Sequence, residues 1–130
     1  MAGTKFILDT NIIVAWLNGD RTIAEKVDKA SAIFIPSIVA GELFWGAYNS
    51  GQVQKNLQKI KSLLQNYSVL VCDGNTALEY GRIKMDLKKK GNPIPENDIW
   101  IAALSAQYNF VLITRDAHFK NVKSVKARTW

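Results

Sequence analysis

The stretch Phe6-Ile7-Leu8-Asp9-Thr10-Asn11 joins a short apolar run to a carboxylate, and a second apolar run follows it directly. The first run predicts a buried β-strand from Lys5 to Asp9, and residues 11–17 predict the helix after it. Asp9 is therefore expected where a strand passes into a helix. In open α/β sheets, ligands bind at this carboxyl end of the strands.

Strand-like and helix-like segments alternate along the rest of the chain. Further strands are predicted at residues 32–35, 68–72, 110–114 and 124–128, and helices at residues 20–30, 38–49, 52–66, 75–90 and 99–108. Ser37 is expected to cap one of these helices, and residues 116–120 are expected to form a short helical turn. The alternation predicts one α/β domain over residues 1–130, with a mainly parallel sheet and right-handed crossovers.

The composition is that of an ordinary globular protein, with 48% hydrophobic and 22% charged residues among 130. No apolar run approaches the roughly 20 residues that a membrane span requires. The first residues lead into the predicted strand without the pattern of a secretory signal, so a cytoplasmic location is expected. The formal net charge of +6 favours a polyanionic partner such as nucleic acid.

Cys72 and His118 are the single cysteine and the single histidine of the chain. An internal disulfide is therefore excluded, and so is a zinc site built within one chain from several thiolate and imidazole ligands. Any bound metal is expected to have oxygen ligands. His118 itself is interpreted as structural, and Arg115 is given no role.

Four acids lie within or beside apolar segments: Asp9, Glu42, Asp98 and Asp116. Asp9, Asp98 and Asp116 each precede or begin a predicted helix, where an aspartate often caps free backbone N–H groups. Capping explains each of these three residues when it is taken alone. Asp9 and Asp116 also follow predicted strand ends, so a shared site at one edge of the sheet is the second interpretation.

Glu42 does not fit the capping interpretation. It follows Ile38 by four residues and Val39 by three, and it precedes Trp45 by three, which places it on an apolar face of its predicted helix. A buried carboxylate is costly unless it is protonated, paired with a base or bound to a metal. The other three acids favour a metal, and Mg²⁺ or Mn²⁺ suits oxygen ligands. Such a site in a basic protein fits the hydrolysis of phosphodiester bonds.

Four segments of the chain resemble, in order and spacing, the motifs of PIN-domain ribonucleases. They are Phe6-Ile7-Leu8-Asp9-Thr10-Asn11, Gly41-Glu42-Leu43, Asn97-Asp98-Ile99-Trp100-Ile101-Ala102-Ala103 and Leu112-Ile113-Thr114-Arg115-Asp116. Within that family, the compact length and the Thr-Arg-Asp-x-His-Phe segment at residues 114–119 resemble the VapC-type toxins of bacterial and archaeal toxin–antitoxin pairs.

The resemblance implies a three-layer α/β/α domain around a five-stranded parallel sheet in the order 3-2-1-4-5. It also implies a Mg²⁺- or Mn²⁺-dependent endoribonuclease that cleaves single-stranded RNA. The expected partners are a second copy of the chain, in a homodimer or a larger toxin–antitoxin assembly, and a small cognate antitoxin that inhibits the enzyme.

The resemblance also assigns roles to the site residues. Asp9 and Asp98 correspond to the principal metal ligands, and Glu42 and Asp116 complete the acidic pocket, either directly or through water. The remaining supporting residues orient ligands or water: Asn11 and Thr114. No acid that the family pattern requires is missing from the chain.

Other functions fit parts of the sequence. A PIN-domain nuclease of RNA processing or decay, outside any toxin–antitoxin pair, has the same acids. A non-catalytic basic module that binds RNA or DNA would use the acids only as caps, but Glu42 argues against it. A haloacid-dehalogenase-like phosphatase has a second aspartate where this chain has Asn11.

Among the aromatic residues, Trp100 is expected in the core, whereas part of the helix with Trp45 and Tyr48 is expected to be covered by a partner.

Overall fold

The structure is a computed structural model that describes residues 3–130. Its strands are β1 (Lys5–Leu8), β2 (Ala32–Pro36), β3 (Ser68–Leu70), β4 (Val111–Ile113) and β5 (Ala127–Arg128). Its helices are α1 (Thr10–Leu17), α2 (Arg21–Lys29), α3 (Ser37–Tyr48), α4 (Val53–Asn66), α5 (Gly74–Lys90) and α6 (Glu96–Tyr108), and a short 3-10 helix spans Ala117–Asn121. The predicted alternation of strands and helices is confirmed.

The five strands form one parallel sheet in the order β3-β2-β1-β4-β5. β1 lies at its centre, where Ile7 pairs with Phe34 of β2 on one side and with Leu112 of β4 on the other. Helices cover both faces of the sheet, as parallel sheets require. The predicted three-layer α/β/α fold and its strand order are confirmed. This order brings the carboxyl ends of β1, β2 and β4 side by side.

The core lies between the central strands and the helices that cover them. Ile7 and Leu8 of β1, and Leu112 and Ile113 of β4, have no exposed surface. In α6 the run 101–104 is also fully buried, which explains why that helix is apolar nearly all round. Each large aliphatic side chain buried in this way contributes roughly 1.5–3 kcal/mol. The rigid core therefore holds β1, β4 and α6 in fixed positions.

Some sequence-based predictions are wrong in detail. Ser37 does not cap α3 but is its first residue, because β2 continues through Pro36 and the chain passes into the helix without a loop. α6 begins at Glu96, directly after the extended Pro95, so Asp98 lies inside its first turn. The last strand contains only Ala127–Arg128.

Trp100 is half-buried and stacks on Tyr80, with ring centroids 4.1 Å apart, so its placement in the core is also wrong. The two rings cover the contact between α5 and α6 at the protein surface.

Between residues 3 and 130, the helices lack the combination of length and hydropathy that a membrane crossing requires.

Candidate active site

The four acids singled out in the sequence line one cleft at the carboxyl edge of the sheet. Asp9 directly follows β1, Glu42 lies in the second turn of α3, Asp98 lies in the first turn of α6, and Asp116 follows β4. The cleft has a volume of about 530 Å³, and Asn11 also lines it. Four separate elements therefore bring carboxylates to the same cleft.

Asp9 is only 4% exposed and is held by several hydrogen bonds. Its Oδ1 accepts a bond of 2.8 Å from the Thr10 N–H, and its Oδ2 accepts bonds of 2.7 Å from the Thr114 hydroxyl and 3.4 Å from the Asn11 amide. Burial raises the pKa of Asp9 most; the bonds from Thr114 and Thr10 oppose the rise, and the nearby Asp98 adds to it. The hydrogen bonds thus fix the orientation of the Asp9 carboxylate, and the charges around it affect its pKa.

Asn11 and Thr114 also connect the end of β1 to the end of β4. Thr114 Oγ1 donates to Asp9 and accepts a hydrogen bond of 3.0 Å from the backbone N–H of Asp116. Asn11 Oδ1 accepts a bond of 3.1 Å from the backbone N–H of Arg115. The two polar side chains therefore position both neighbouring carboxylates, which is the arrangement that an orienting role requires.

Glu42 carries an unsatisfied buried oxygen. Among the described residues, neither its Oε1 nor Oγ1 of Thr10 has a hydrogen-bond partner. Burial raises the pKa of Glu42 most, and the charges of Asp9 and Asp98 raise it further. The nearby Thr10 hydroxyl lowers the pKa somewhat, although no hydrogen bond of good geometry joins it to Oε1. A cation in the cleft would satisfy this oxygen.

Helix capping accounts for only part of this arrangement. Asp9 caps α1, and Asp116 caps the 3-10 helix by accepting a hydrogen bond of 2.9 Å from the N–H of His118. Asp98 caps nothing, because Pro95 occupies the N-cap position of α6 and no side chain caps that helix. Asp98 and Glu42 therefore lie at the cleft for another reason.

His118 lies among the acids, where the sequence interpretation did not place it. Its Nδ1 is 3.0 Å from Oδ2 of Asp98 and 3.0 Å from Oδ1 of Asp116. The bond to Asp98 is the main cause that raises the pKa of His118, while burial raises the pKa of Asp98. The signal in the sequence was the spacing of two residues from Asp116 in a segment that also follows β4.

Arg115 is tied to the rest of the fold. Its Nη2 is 3.0 Å from Oδ2 of Asp20, which caps α2, and its Nε donates to the backbone carbonyl of Trp130 over 3.2 Å. The side chain therefore links α2 and the last residues to the end of β4.

This fold and its acids define a PIN domain. The model of the PIN-domain family matches residues 6–125, and the chain belongs to that family. Ribonuclease VapC1 of Haemophilus influenzae strain R2866 is 32% identical over 130 residues, covering 96% of this chain and 97% of the relative. The tRNA(fMet)-specific endonuclease VapC of Salmonella typhimurium is 29% identical and covers 97% of this chain and 98% of its own length.

Solved structures of such proteins have the same fold. VapBC2 from Rickettsia felis, bound to a DNA fragment from its promoter, has a chain that matches with a TM-score of 0.92 and 27% identity, covering 98% of this chain and 99% of that one. VapBC-1 from nontypeable Haemophilus influenzae has a chain with a TM-score of 0.90 and 31% identity, covering 98% of each chain.

Proposed function

We propose that the protein is a divalent-metal-dependent endoribonuclease and the toxin of a toxin–antitoxin pair, built as one nuclease domain over residues 1–130 and acting in the cytoplasm. The observation that carries the proposal is the meeting of Asp9, Glu42, Asp98 and Asp116 at one cleft of a PIN domain. The relatives that match nearly the whole chain have ribonuclease and tRNA endonuclease names, which supports the same class of reaction.

The donor set suits Mg²⁺ or Mn²⁺. Asp9 and Asp98 would be the principal ligands, with Glu42 and Asp116 binding directly or through water. The unsatisfied Oε1 of Glu42 supports the fit, because a cation beside buried carboxylates offsets the cost of their charge. When bound, such an ion lowers the pKa of a water molecule for attack on the phosphodiester and offsets charge on the phosphoryl oxygens.

The protein's own residues prepare this site before any substrate arrives. The bonds from Thr10 and Thr114 fix the direction in which Asp9 presents its charge, and Thr114 at the same time positions Asp116 through its backbone N–H. Groups that are already oriented need no rearrangement when charge develops in the reaction. No nucleophilic side chain is required in this arrangement.

RNA is the proposed substrate. The chain after Asp116 has no acid and carries four exposed lysine and arginine residues: Lys120, Lys123, Lys126 and Arg128. Arg128 pairs with Ile113 at the end of β4, so part of this positive charge lies at the same edge of the sheet as the cleft. Basic side chains at such an edge attract the phosphate backbone.

A small antitoxin is the proposed inhibitor. A cavity of about 260 Å³ lies between α1, α3 and α4, and apolar residues such as Val14, Leu43 and Ile60 line it. It shares Thr10 and Glu42 with the cleft, so an apolar segment of a partner inserted there would reach the acids. The structural neighbours include chains from VapBC toxin–antitoxin proteins, which supports this kind of partner.

A homodimer is also proposed. Trp45 and Tyr48 of α3 are 69% and 67% exposed, and a second copy of the chain would cover such an aromatic face. The molar mass in solution, measured by light scattering for the protein alone, tests the dimer. Trp45→Ser should shift it toward the monomer, whereas Tyr108→Ser, at another exposed aromatic residue, should not.

The nuclease proposal is tested with purified protein and defined single-stranded RNA. Cleavage should require Mg²⁺ or Mn²⁺, stop with EDTA, and fall at least about 100-fold in Asp9→Asn and Asp98→Asn. Asp28→Asn, at an exposed position of α2, is the matched control and should leave cleavage unchanged. Cleavage that continues with EDTA and in both cleft variants would overturn the proposal. RNA binding without any cleavage would favour the non-catalytic binding module.

The toxin proposal has its own test, which separates it from a PIN-domain nuclease of RNA processing. The reading frame next to the gene should encode a small protein that copurifies with this chain and stops its cleavage. An isolated gene whose product acts without an inhibitor would support the processing nuclease instead.

A further inference from the structure

His118 is held firmly beside two carboxylates. Its backbone N–H donates to Oδ1 of Asp116 over 2.9 Å, and the next residue, Phe119, is only 1% exposed and anchors the 3-10 helix in the core. The imidazole ring lies directly against Asp98, with Nδ1 3.0 Å from its Oδ2. The ring nitrogen therefore has a defined position even though the side chain is about half exposed.

Nδ1 of His118 lies close enough to two carboxylates to share a metal ion with them. It lies 3.0 Å from one oxygen of Asp98 and 3.0 Å from one oxygen of Asp116, and the ligand atoms of the three residues all lie within 4.8 Å of one another. Within residues 3–130, no other three side chains of the types His, Cys, Asp and Glu bring ligand atoms this close together. If the three side chains moved slightly apart, an ion between them would have Nδ1 of His118 and one oxygen each of Asp98 and Asp116 around it.

We propose that His118 binds the divalent ion through Nδ1, together with Asp98 and Asp116, and that this nitrogen ligand makes the site prefer Mn²⁺ to Mg²⁺. The inference rests on the proposed metal-dependent function. Mg²⁺ binds almost wholly through oxygen and keeps several waters, whereas imidazole is a good ligand for first-row transition metals. This proposal differs from the expectation of oxygen ligands alone.

A different arrangement is compatible with the same distances. A protonated His118 that only pairs with the two carboxylates would be displaced when an ion enters, and the ion would then have oxygen ligands alone. The two arrangements differ in whether a nitrogen atom is bonded to the metal. Spectroscopy of the bound ion distinguishes them without any measurement of cleavage.

The test uses the full chain without a polyhistidine tag. Because His118 is the single histidine, an imidazole signal has one possible source in the protein. Mn²⁺ is added below the protein concentration, and pulsed electron paramagnetic resonance records nitrogen coupling to the ion. We expect imidazole ¹⁴N coupling in the wild type, a changed pattern after labelling with ¹⁵N-histidine, and no such coupling in His118→Asn.

His118→Asn is the informative variant, because its amide can still donate to the carboxylates but offers no nitrogen lone pair. Its Mn²⁺ affinity should fall at least about tenfold, while its Mg²⁺ affinity, measured by competition, should fall less. Circular dichroism confirms that the variant folds. Mn²⁺ binding without nitrogen coupling would overturn this inference alone, whereas an absence of Mn²⁺ binding would overturn the proposed metal-dependent function as well.

Discussion

The Thr114 hydroxyl donates a hydrogen bond of 2.7 Å to Oδ2 of Asp9, across the buried space between the ends of β4 and β1. The two residues are 105 positions apart in the chain. The bond opposes the rise in the pKa of Asp9 that burial causes. It therefore helps to keep a buried carboxylate charged, which is the state in which it can bind a cation.

Thr114→Val should uncouple this pair while keeping the side-chain shape. A buried acceptor loses its best donor, so the free energy of unfolding without metal should fall by about 1–3 kcal/mol. Metal binding should weaken too, because the pKa of Asp9 rises further. Urea unfolding in EDTA measures the first effect and calorimetric metal titration the second. Thr22→Val, at an exposed position of α2, is the control, and an equal loss there would contradict a specific role for the bond.

Glu42→Gln should separate stability from activity. The substitution removes a charge whose burial is unfavourable and whose Oε1 has no partner among the described residues, so the unfolding temperature in EDTA at neutral pH should stay the same or rise. Cleavage should fall at least about 100-fold, because a proposed metal ligand is lost. Glu25→Gln on the exposed side of α2 is the matched control. A clear drop in the unfolding temperature would show that the Glu42 carboxylate stabilises the fold.

The titrating groups of the cleft should each lower the stability of the metal-free protein as the pH rises. The fold raises the pKa of Asp9, Glu42 and Asp98 above their ordinary values of 3.8 for aspartate and 4.5 for glutamate, mainly through burial. The folded state then holds more protons than the unfolded chain, so the free energy of unfolding decreases from those ordinary values up to the raised ones. His118 acts in the same direction at higher pH, from its ordinary value of 6.5 upward.

Two variants separate the effect of Glu42 at acidic pH from the effect of His118 at higher pH. Unfolding temperatures in EDTA across the pH range should show a smaller loss at acidic pH in Glu42→Gln and a smaller loss above pH 6.5 in His118→Asn. Comparison with the wild type cancels the effect of acids outside the cleft, such as Asp20 and Asp73, whose lowered pKa values act oppositely. Mg²⁺ should reduce the loss at neutral pH. Parallel curves for the wild type and both variants would contradict the assignment.

Gly81→Ala should stabilise the protein. Gly81 lies inside α5, and an added Cβ would have open space around it. Alanine lowers the conformational entropy of the unfolded chain, so the free energy of unfolding should increase by about 0.5–1 kcal/mol. Gly46→Ala in α3 meets the same conditions and should give a similar gain. Urea unfolding measures both, and a decrease in either variant would mean that its helix face is more crowded than the structure shows.

The fold was predictable because its signals are local. Apolar runs at β1 and β4 and the apolar helix α6 each form a recognisable pattern in the sequence, and strand–helix alternation leaves few topologies. Element ends were less predictable. Ser37 has the chemistry of a cap, but Pro36 continues β2 to the first residue of α3, so no capping position remains for its side chain.

The sequence predicts which acids form the site, but it predicts the orientation of the neighbouring side chains less well. Glu42 was placed on an apolar helix face from spacing alone, and it has a buried oxygen in the structure. The direction of the His118 ring depends on how Phe119 anchors the 3-10 helix against the core, which is a tertiary effect. Likewise, Trp100 leaves the core because Tyr80, twenty residues earlier, offers a stacking surface.

The central position of β1, between β2 and β4, has a consequence for the timing of activity during protein synthesis. Asp9 emerges early from the ribosome, but Thr114 and Asp116 emerge about a hundred residues later, and β4 pairs with β1 only then. A nascent chain that ends before β4 lacks one side of the cleft. Because the acidic cleft needs residues from both ends of the chain, the proposed nuclease would gain a complete site only when its translation is nearly finished.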